Sequence, residues 1–360
     1  MFRTSRCVMA ACSLSALSLL GCGSSDDEDP GSSRAAACET LPAREPGPGF
    51  TLDEGTMTLR AGQDGLFCRQ MAVPAEYAGG DYFITGVDAA VSFGTHHFVM
   101  TFSDDPLESV APLCSDTGSG QVGSGGGNFQ DFAVDPNAMP VVETIKRIAF
   151  GGGGGDAKVR FPAGYGKPMP AGFFESSHHL LNPGSDPLDI CGRFHVYAAK
   201  AEDIQHPLGV LFANALHVNV APNSTGHVEA TMLVPEALDL VVFMSHAHNF
   251  LTRFEMFIQR NGQTAAEPAY VNEDWENPLA LVQDPPIELA AGDGITFRCT
   301  YRNSTPNKLG WGVIGGEMCM PFALYSYPKN SARRVPPTMS VLMNDTKPAL
   351  LQVGTGAFGG

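Results

Sequence analysis

Six of the ten histidines in this chain stand in close pairs, and imidazole is a common metal ligand. The pairs are His96–His97, His178–His179 and His246–His248. The last pair lies in "VVFMSHAHNFLTRFEMF" (241–257), an apolar and aromatic run that predicts a strand. Side chains two residues apart on a strand share a face, so two imidazoles are expected side by side there. For any single pair, an exposed polar face is the alternative.

A methionine further along the chain adds a soft donor to the histidines. Met318 lies beside Cys319 in "GGEMCMPF" (315–322). Two imidazoles and a thioether suit copper, particularly Cu(I), and suit zinc or magnesium poorly. Core packing is the alternative for Met318, because most methionines in strands fill space.

The composition predicts the elements that position these residues. The 360-residue chain has 41 glycines and 27 prolines, and short apolar runs are separated by turn residues, which indicates an all-β protein. A formal net charge of −16 argues against a nucleic-acid or anionic-membrane surface as partner, since either would need a basic patch. The glycine tracts at 118–127 and 151–156 lack the strand and helix context of a phosphate-binding loop and are predicted to be loops.

The first 22 residues are predicted to be an export signal. Arg3 and Arg6 precede a short apolar run that ends in "LLGC". This ending resembles the lipobox of bacterial lipoproteins, which implies acylation of Cys22, and Gly23 after it implies the outer membrane. Ordinary signal cleavage is the alternative. Residues 23–37, "GSSDDEDPGSSRAAA", read as a flexible acidic tether.

Export also sets the redox environment of the remaining cysteines. They are Cys38, Cys68, Cys114, Cys191, Cys299 and Cys319. An even number in an oxidising compartment predicts three disulfides, whose pairing the count alone leaves open.

The folded part is expected to form two β-domains. The polar stretch "AKAEDIQHP" (199–207) interrupts the strand pattern, so we predict domains at 38–203 and 204–340 and a C-terminal tail at 341–360. A loop within one domain would look similar.

Four motifs in order resemble the type II copper, ascorbate-dependent monooxygenases, the family of peptidylglycine α-hydroxylating monooxygenase and dopamine β-monooxygenase. They are "GTHHFVMTF" (94–102), "HLLNP" (179–183), "SHAH" (245–248) and "GEMC" (316–319), and "RNGQ" (260–263) also fits the family. The resemblance extends from about residue 60 to about residue 330. It implies two antiparallel jelly-roll β-sandwich domains with one copper ion each, facing across a cleft.

The resemblance also implies the ligands. The first copper takes His96, His97 and His179, and the second takes His246, His248 and Met318. The family's proline register, met here by Pro183, favours His179 over His178. Adjacent strand residues face opposite sides, so the ligand pair His96–His97 requires a bulge or a strong local twist.

The disulfides follow from the same resemblance. It implies the pairs Cys68–Cys114 and Cys299–Cys319, and with them Cys38–Cys191. A bond between Cys299 and Cys319 would hold the backbone next to Met318 in place.

The expected activity is hydroxylation of a substrate C–H bond with O2. By resemblance the second copper, held by His246, His248 and Met318, activates O2, and the first stores and delivers an electron from ascorbate or another reductant. Where the peptide-amidating branch has an arginine, an asparagine and a tyrosine, this chain has Met244, Met320 and Phe322, which argues for an apolar small-molecule substrate. The protein is expected to be a monomer that meets the membrane only through its lipid anchor.

Two other interpretations remain open at this point. A non-catalytic copper lipoprotein for storage or delivery would use the same ligands, although it would not need a second site. The other is a β-sandwich whose histidines are incidental and bind no metal.

Overall fold

The computed structural model describes residues 41, 45–92, 94–103, 121–122, 148–153, 156–312, 316–328 and 335–353. The predicted signal peptide, the tether and residues Cys22, Cys38 and Cys114 lie outside these ranges. Within them the chain is built from strands, with one 3-10 turn at Ala201–Asp203. The described part contains no helix long and apolar enough to cross a membrane.

Among the described residues, eleven strands belong to the first sandwich. They are β1 (Gly49–Leu59), β2 (Asp64–Ala72), β3 (Tyr82–Val91), β4 (Thr95–Ser103), β5 (Gln121–Val122), β6 (Ile148–Gly153), β7 (Asp156–Arg160), β8 (Tyr165–Pro168), β9 (Phe173–Leu181), β10 (Leu188–Lys200) and β11 (His206–Pro207). Alternation of side chains builds its core: Phe50 and Leu52 of β1 point inwards, whereas Thr51 and Asp53, which follow each of them, are exposed.

The first sandwich has the strand order of a jelly roll. Sheet I runs β1-β10-β3-β8-β11, with β7 also paired to β3, and sheet II runs β5-β2-β9-β4-β6. The first long strand therefore pairs with the last, and β2 pairs with β9, as expected when the chain wraps around itself as a double Greek key.

The described part of the chain from residue 209 onwards has fourteen strands. They are β12 (Gly209–Ala215), β13 (Asn219–Val220), β14 (Ser224–Leu233), β15 (Leu238–His246), β16 (Leu251–Arg260), β17 (Gln263–Thr264), β18 (Tyr270–Asn272), β19 (Leu281–Leu289), β20 (Gly294–Asn303), β21 (Leu309–Gly310), β22 (Met320–Ser326), β23 (Met339–Met343), β24 (Ala349–Leu350) and β25 (Gln352–Val353). Of these, β13 and β21 pair with each other and the rest form the second sandwich.

The same wrapping recurs in the second sandwich. Sheet III runs β19-β15-β22-β12-β23-β25, and sheet IV runs β17-β16-β20-β14-β24, with β18 also paired to β16. The first strand, β12, pairs with β22, and β14 pairs with β20, as in the first sandwich. The predicted fold, two antiparallel jelly-roll β-sandwiches, is confirmed.

Each sandwich has its own core, and an apolar cluster joins them. Phe98, Phe174 and Phe194 are fully buried in the first core. A separate cluster brings Tyr165 of β8 against Val210 and other residues of sheet III, on the face that does not contribute to the second core. One face of sheet III is thus shared between this contact and the predicted second metal site.

The chain passes from the first sandwich to the second close to the predicted domain boundary. That boundary, between 203 and 204, falls at the end of the 3-10 turn; β11 still pairs with β8 of sheet I, and β12 opens sheet III. Residues 341–353, assigned to a tail from the sequence, instead contribute strands, because β23 runs parallel to β12. A short strand that pairs in parallel with a distant one carries no hairpin signal in the sequence.

One predicted disulfide lies within the described side chains. Cys299 and Cys319 are bonded, with their Cα atoms 5.9 Å apart, so this pair is confirmed. Cys191 is also disulfide-bonded, and its partner lies outside the described side chains. The pairs Cys38–Cys191 and Cys68–Cys114 stay predictions.

Candidate metal centre

His246 and His248 lie at the end of β15, where the strand gives way to a turn. Their ring centroids are 5.2 Å apart and their planes are nearly perpendicular, at 82°. Both side chains are half-buried. The sequence correctly predicts two neighbouring imidazoles, but the continuous strand predicted over 241–257 is in fact β15 and β16 joined by a turn at 247–250.

A buried carboxylate explains why the strand breaks there. Glu317 is completely buried, and its two oxygens accept the backbone N–H groups of His248, at 2.9 Å, and Phe250, at 2.7 Å. These N–H groups are thereby satisfied without a strand ladder. Burial raises the pKa of Glu317 to about 7, although hydrogen bonds from the backbone of Phe250, His248 and Met318 lower it in part.

The residue before Glu317 fixes the orientation of the His248 ring. Its Nδ1 lies 2.7 Å from the carbonyl oxygen of Gly316. A carbonyl only accepts, so Nδ1 carries the proton and donates, which places the lone pair of the neutral ring on Nε2. Metal-binding histidines are commonly held in this way through their second nitrogen.

Met318 lies on the same side of the sheet as the histidines. Its neighbour Cys319 points into the second core and is bonded there to Cys299 of β20. Met318 is 6% exposed and packs with Phe212, away from that core, while Tyr301 donates a 2.9 Å hydrogen bond to its backbone carbonyl. The disulfide and the tyrosine therefore hold the Met318 backbone from the core side.

Strand register brings the two ligand segments together. In the antiparallel ladder of β15 and β22, His246 pairs with Met320. Beyond the ladder, His248 stays next to the segment that carries Met318, because its backbone N–H and its ring Nδ1 bond to Glu317 and Gly316. Ala247 and Cys319 both belong to the second core, so the residues that flank them, both histidines and Met318, lie on the opposite surface of sheet III.

The surface next to these residues is apolar. Met244, 8% exposed, pairs with Phe322 across β15 and β22, and Phe322 stacks on Phe212 with ring centroids 5.8 Å apart. Trp311 packs against the same cluster and donates its indole N–H to Asn214.

Two nitrogen donors and one sulfur donor in apolar surroundings fit copper. A thioether is a soft ligand that suits Cu(I), and the hydrogen bond from Nδ1 of His248 to Gly316 places the lone pair of the neutral ring on Nε2. His246, His248 and Met318 are the residues that would hold the ion.

The backbone of the first predicted site has the geometry expected from the sequence. His97 of β4 pairs directly with His179 of β9, and the register shifts between Thr95 and His97. This irregularity lies at His96, where a bulge was predicted to accommodate adjacent ligands. The side chains of His96, His97 and His179 lie outside the described part of the structure.

The His178 side chain lies in the interior of the first sandwich. It is 1% exposed, its Nε2 lies 2.7 Å from Oε1 of Glu54, and its ring packs near Phe98 and Phe194. Burial alone would raise the pKa of Glu54, but the nearby His178 and the hydrogen bonds from His178 and Ser176 lower it.

Two features of the predicted sites were missed from the sequence. Glu54, the buried partner of His178, lies in a strand with no motif. The hydrogen bonds that Glu317 accepts from His248 and Phe250 depend on a turn that no local pattern predicts.

No cluster of three or more histidine, cysteine, aspartate or glutamate side chains suited to a metal ion occurs among the described residues. The second predicted site has only two such residues beside its methionine, and the histidine side chains of the first lie outside the described part.

No protein-family model matches this chain, and no curated protein is similar to it in sequence. Solved structures similar to it include the STIV MCP, at 10% identity over 76% of this chain and 97% of that one, with a TM-score of 0.32. The major capsid protein P2 from bacteriophage PM2 is 8% identical over 78% and 100% of the two chains, with a TM-score of 0.26. At these scores the likenesses carry no argument about fold or function.

Proposed function

We propose that the protein is a copper-dependent monooxygenase that hydroxylates a C–H bond of an apolar substrate, using O2 and an external reductant such as ascorbate. The observation that carries this proposal is the arrangement of His246, His248 and Met318 on one surface of sheet III. The soft donor set and the fixed tautomer of His248 support copper, and the four motifs that resemble the monooxygenase family support the reaction.

The chain's own residues would prepare the second site in three ways. Gly316 keeps the proton of His248 on Nδ1, so that Nε2 is directed to the ion. Glu317 holds the turn that carries His248, and the Cys299–Cys319 bond anchors the segment that carries Met318. Copper bound there would supply one-electron redox chemistry with O2.

The apolar surface beside the ligands would bind the substrate. Met244, Phe322 and Phe212 lie in one row across β15, β22 and β12, directly next to the row that contains His246. Their side chains offer neither charge nor hydrogen bonds, so they would exclude water and favour an apolar substrate.

The first site is proposed to supply electrons. Direct pairing of His97 with His179 and the register shift at His96 support a three-histidine site with His179 as ligand. The buried bond between His178 and Glu54 supports this choice, because it occupies the alternative ligand.

A second candidate function is copper storage or delivery. One observation favours it: Met320, a second buried methionine, packs in the same cluster as Met318. Under either function we propose that the chain is exported, is anchored to the outer membrane through Cys22 and acts as a monomer.

A substrate panel tests the proposal. Copper-loaded protein with ascorbate and apolar or aromatic substrates should consume O2 and form hydroxylated product in a ratio near one to one. His248→Ala should remove product formation, while His227→Ala, a substitution in the same sandwich but outside the site, should retain it.

The opposite result would distinguish a copper carrier from a monooxygenase. If no substrate of the panel yields product while copper passes readily to an acceptor protein, the monooxygenase proposal is refuted and the carrier is supported.

A further inference from the structure

The two segments of the second site have the same spacing of donors. "HAH" (246–248) places imidazoles at its ends, and "MCM" (318–320) places thioethers at its ends. Each has a central residue that points the other way: Ala247 and Cys319 both belong to the second core. The outer residues of both segments therefore lie on the opposite surface.

The ladder and the turn bring these donors together. His246 lies directly opposite Met320 in the ladder of β15 and β22, and the hydrogen bonds of His248 to Glu317 and Gly316 keep it next to the segment that carries Met318. The Cβ atoms of residues directly opposite in an antiparallel pair are about 5 Å apart, within reach of a common ion.

Burial and packing place Met320 with the other donors. Its side chain is 3% exposed and forms one small cluster with Met318 and Phe212, separate from the second core. A methionine that only filled the core would face the same side as Cys319, whereas Met320 faces the side of His246.

We infer that Met320 is a further ligand, so that the second site holds Cu(I) with two imidazoles and two thioethers. This inference rests on the proposed function only in requiring copper at that site. Two thioethers are softer than one and favour Cu(I) over Cu(II). The site is therefore expected to retain copper most strongly in the reduced state.

The number of sulfur ligands on the bound copper tests this inference, and its measurement does not require enzymatic activity. X-ray absorption of the Cu(I)-loaded protein should show sulfur in the wild type, less in Met318→Ile or Met320→Ile, and none at the second site in the double variant. Competition with a Cu(I) chelator should show that Met320→Ile weakens affinity by at least about tenfold, the lower end of the cost of losing a supporting partner.

Met232→Ile is the matched control, because Met232 is fully buried in the second core and lies on β14, away from the ligand surface. It should leave both sulfur count and affinity unchanged, even if thermal unfolding shows that it is destabilised. Unchanged sulfur count and affinity in folded Met320→Ile would overturn the inference while leaving copper binding intact. Failure of the wild type to bind Cu(I) would instead refute the proposed function itself.

Discussion

At the scale of single residues, the buried ionisable groups of the first sandwich differ in whether another residue stabilises their charge. Glu54 and His178 share one hydrogen bond inside the first sandwich, while Oε2 of Glu54 and Nδ1 of His178 are buried without a hydrogen-bond partner among the described residues. Lys167 of β8 is 7% exposed, and its ammonium group lies 5.4 Å from the centre of the Phe102 ring. Burial lowers the pKa of Lys167 from 10.5 to about 8, so its charge is costly at neutral pH.

Replacing Lys167 with methionine is expected to stabilise the protein. In the unfolded chain the pKa of Lys167 returns to 10.5, so between pH 8 and 10.5 the unfolded state holds more protons. The free energy of unfolding should therefore rise with pH in that window, and below it the full penalty remains. Lys167→Met should raise the free energy of unfolding at pH 7 by about 3 kcal/mol and flatten the rise, as measured by urea denaturation.

Lys158→Met is the control for this substitution. The Lys158 side chain is largely exposed and pairs with Glu45 at the surface, so its removal should change stability little. Equal effects of the two substitutions, or a destabilised Lys167→Met, would show that the ammonium group is not buried at a cost.

At the scale of elements, the sequence predicts what depends on local pattern and misses what depends on distant contacts. The i, i+2 spacing of His246 and His248 predicts the neighbouring imidazoles found at the end of β15, and a register shift lies at His96, where a bulge is predicted. The break after β15 depends on Glu317, which is distant in the sequence, and the parallel pairing of β23 depends on β12. No local pattern encodes either contact.

The hydrogen bonds by which Glu317 holds the turn at 247–250 can be tested by substitution. At pH 8, above its pKa of about 7, the ionised carboxylate accepts N–H groups with both oxygens. Glu317→Gln leaves one acceptor and sets an amide N–H against the second donor, so we expect a loss of about 1–3 kcal/mol in the free energy of unfolding. Hydrogen exchange at the amides of His248 and Phe250 should accelerate, and Cu(I) affinity should fall.

Glu288→Gln serves as the comparison, because Glu288 is exposed on β19 of the same sandwich. It should alter neither amide exchange at the turn nor Cu(I) affinity. If Glu317→Gln protects those amides as well as the wild type does, the carboxylate does not hold the turn.

At the scale of the whole molecule, the two jelly rolls use their sheets in the same way. In each, core residues face inwards, and in the second sandwich the predicted ligand positions lie on the outer face of sheet III. The apolar cluster of Tyr165 and Val210 joins the sandwiches on that same face of sheet III. The proposed second metal site would therefore share its face with the contact between the sandwiches and would lie apart from the second core.

Copper stoichiometry of the purified protein, measured together with X-ray absorption of its Cu(I) form, tests the central claim most directly. We predict two copper ions per chain and a Cu–S component in the spectrum. Replacing both His246 and His248 with alanine should reduce the count to one and remove the sulfur component, because the remaining ion has only imidazole ligands. A wild-type protein that binds no copper, or a double variant that keeps both ions and the sulfur signal, would contradict the assignment of the second site.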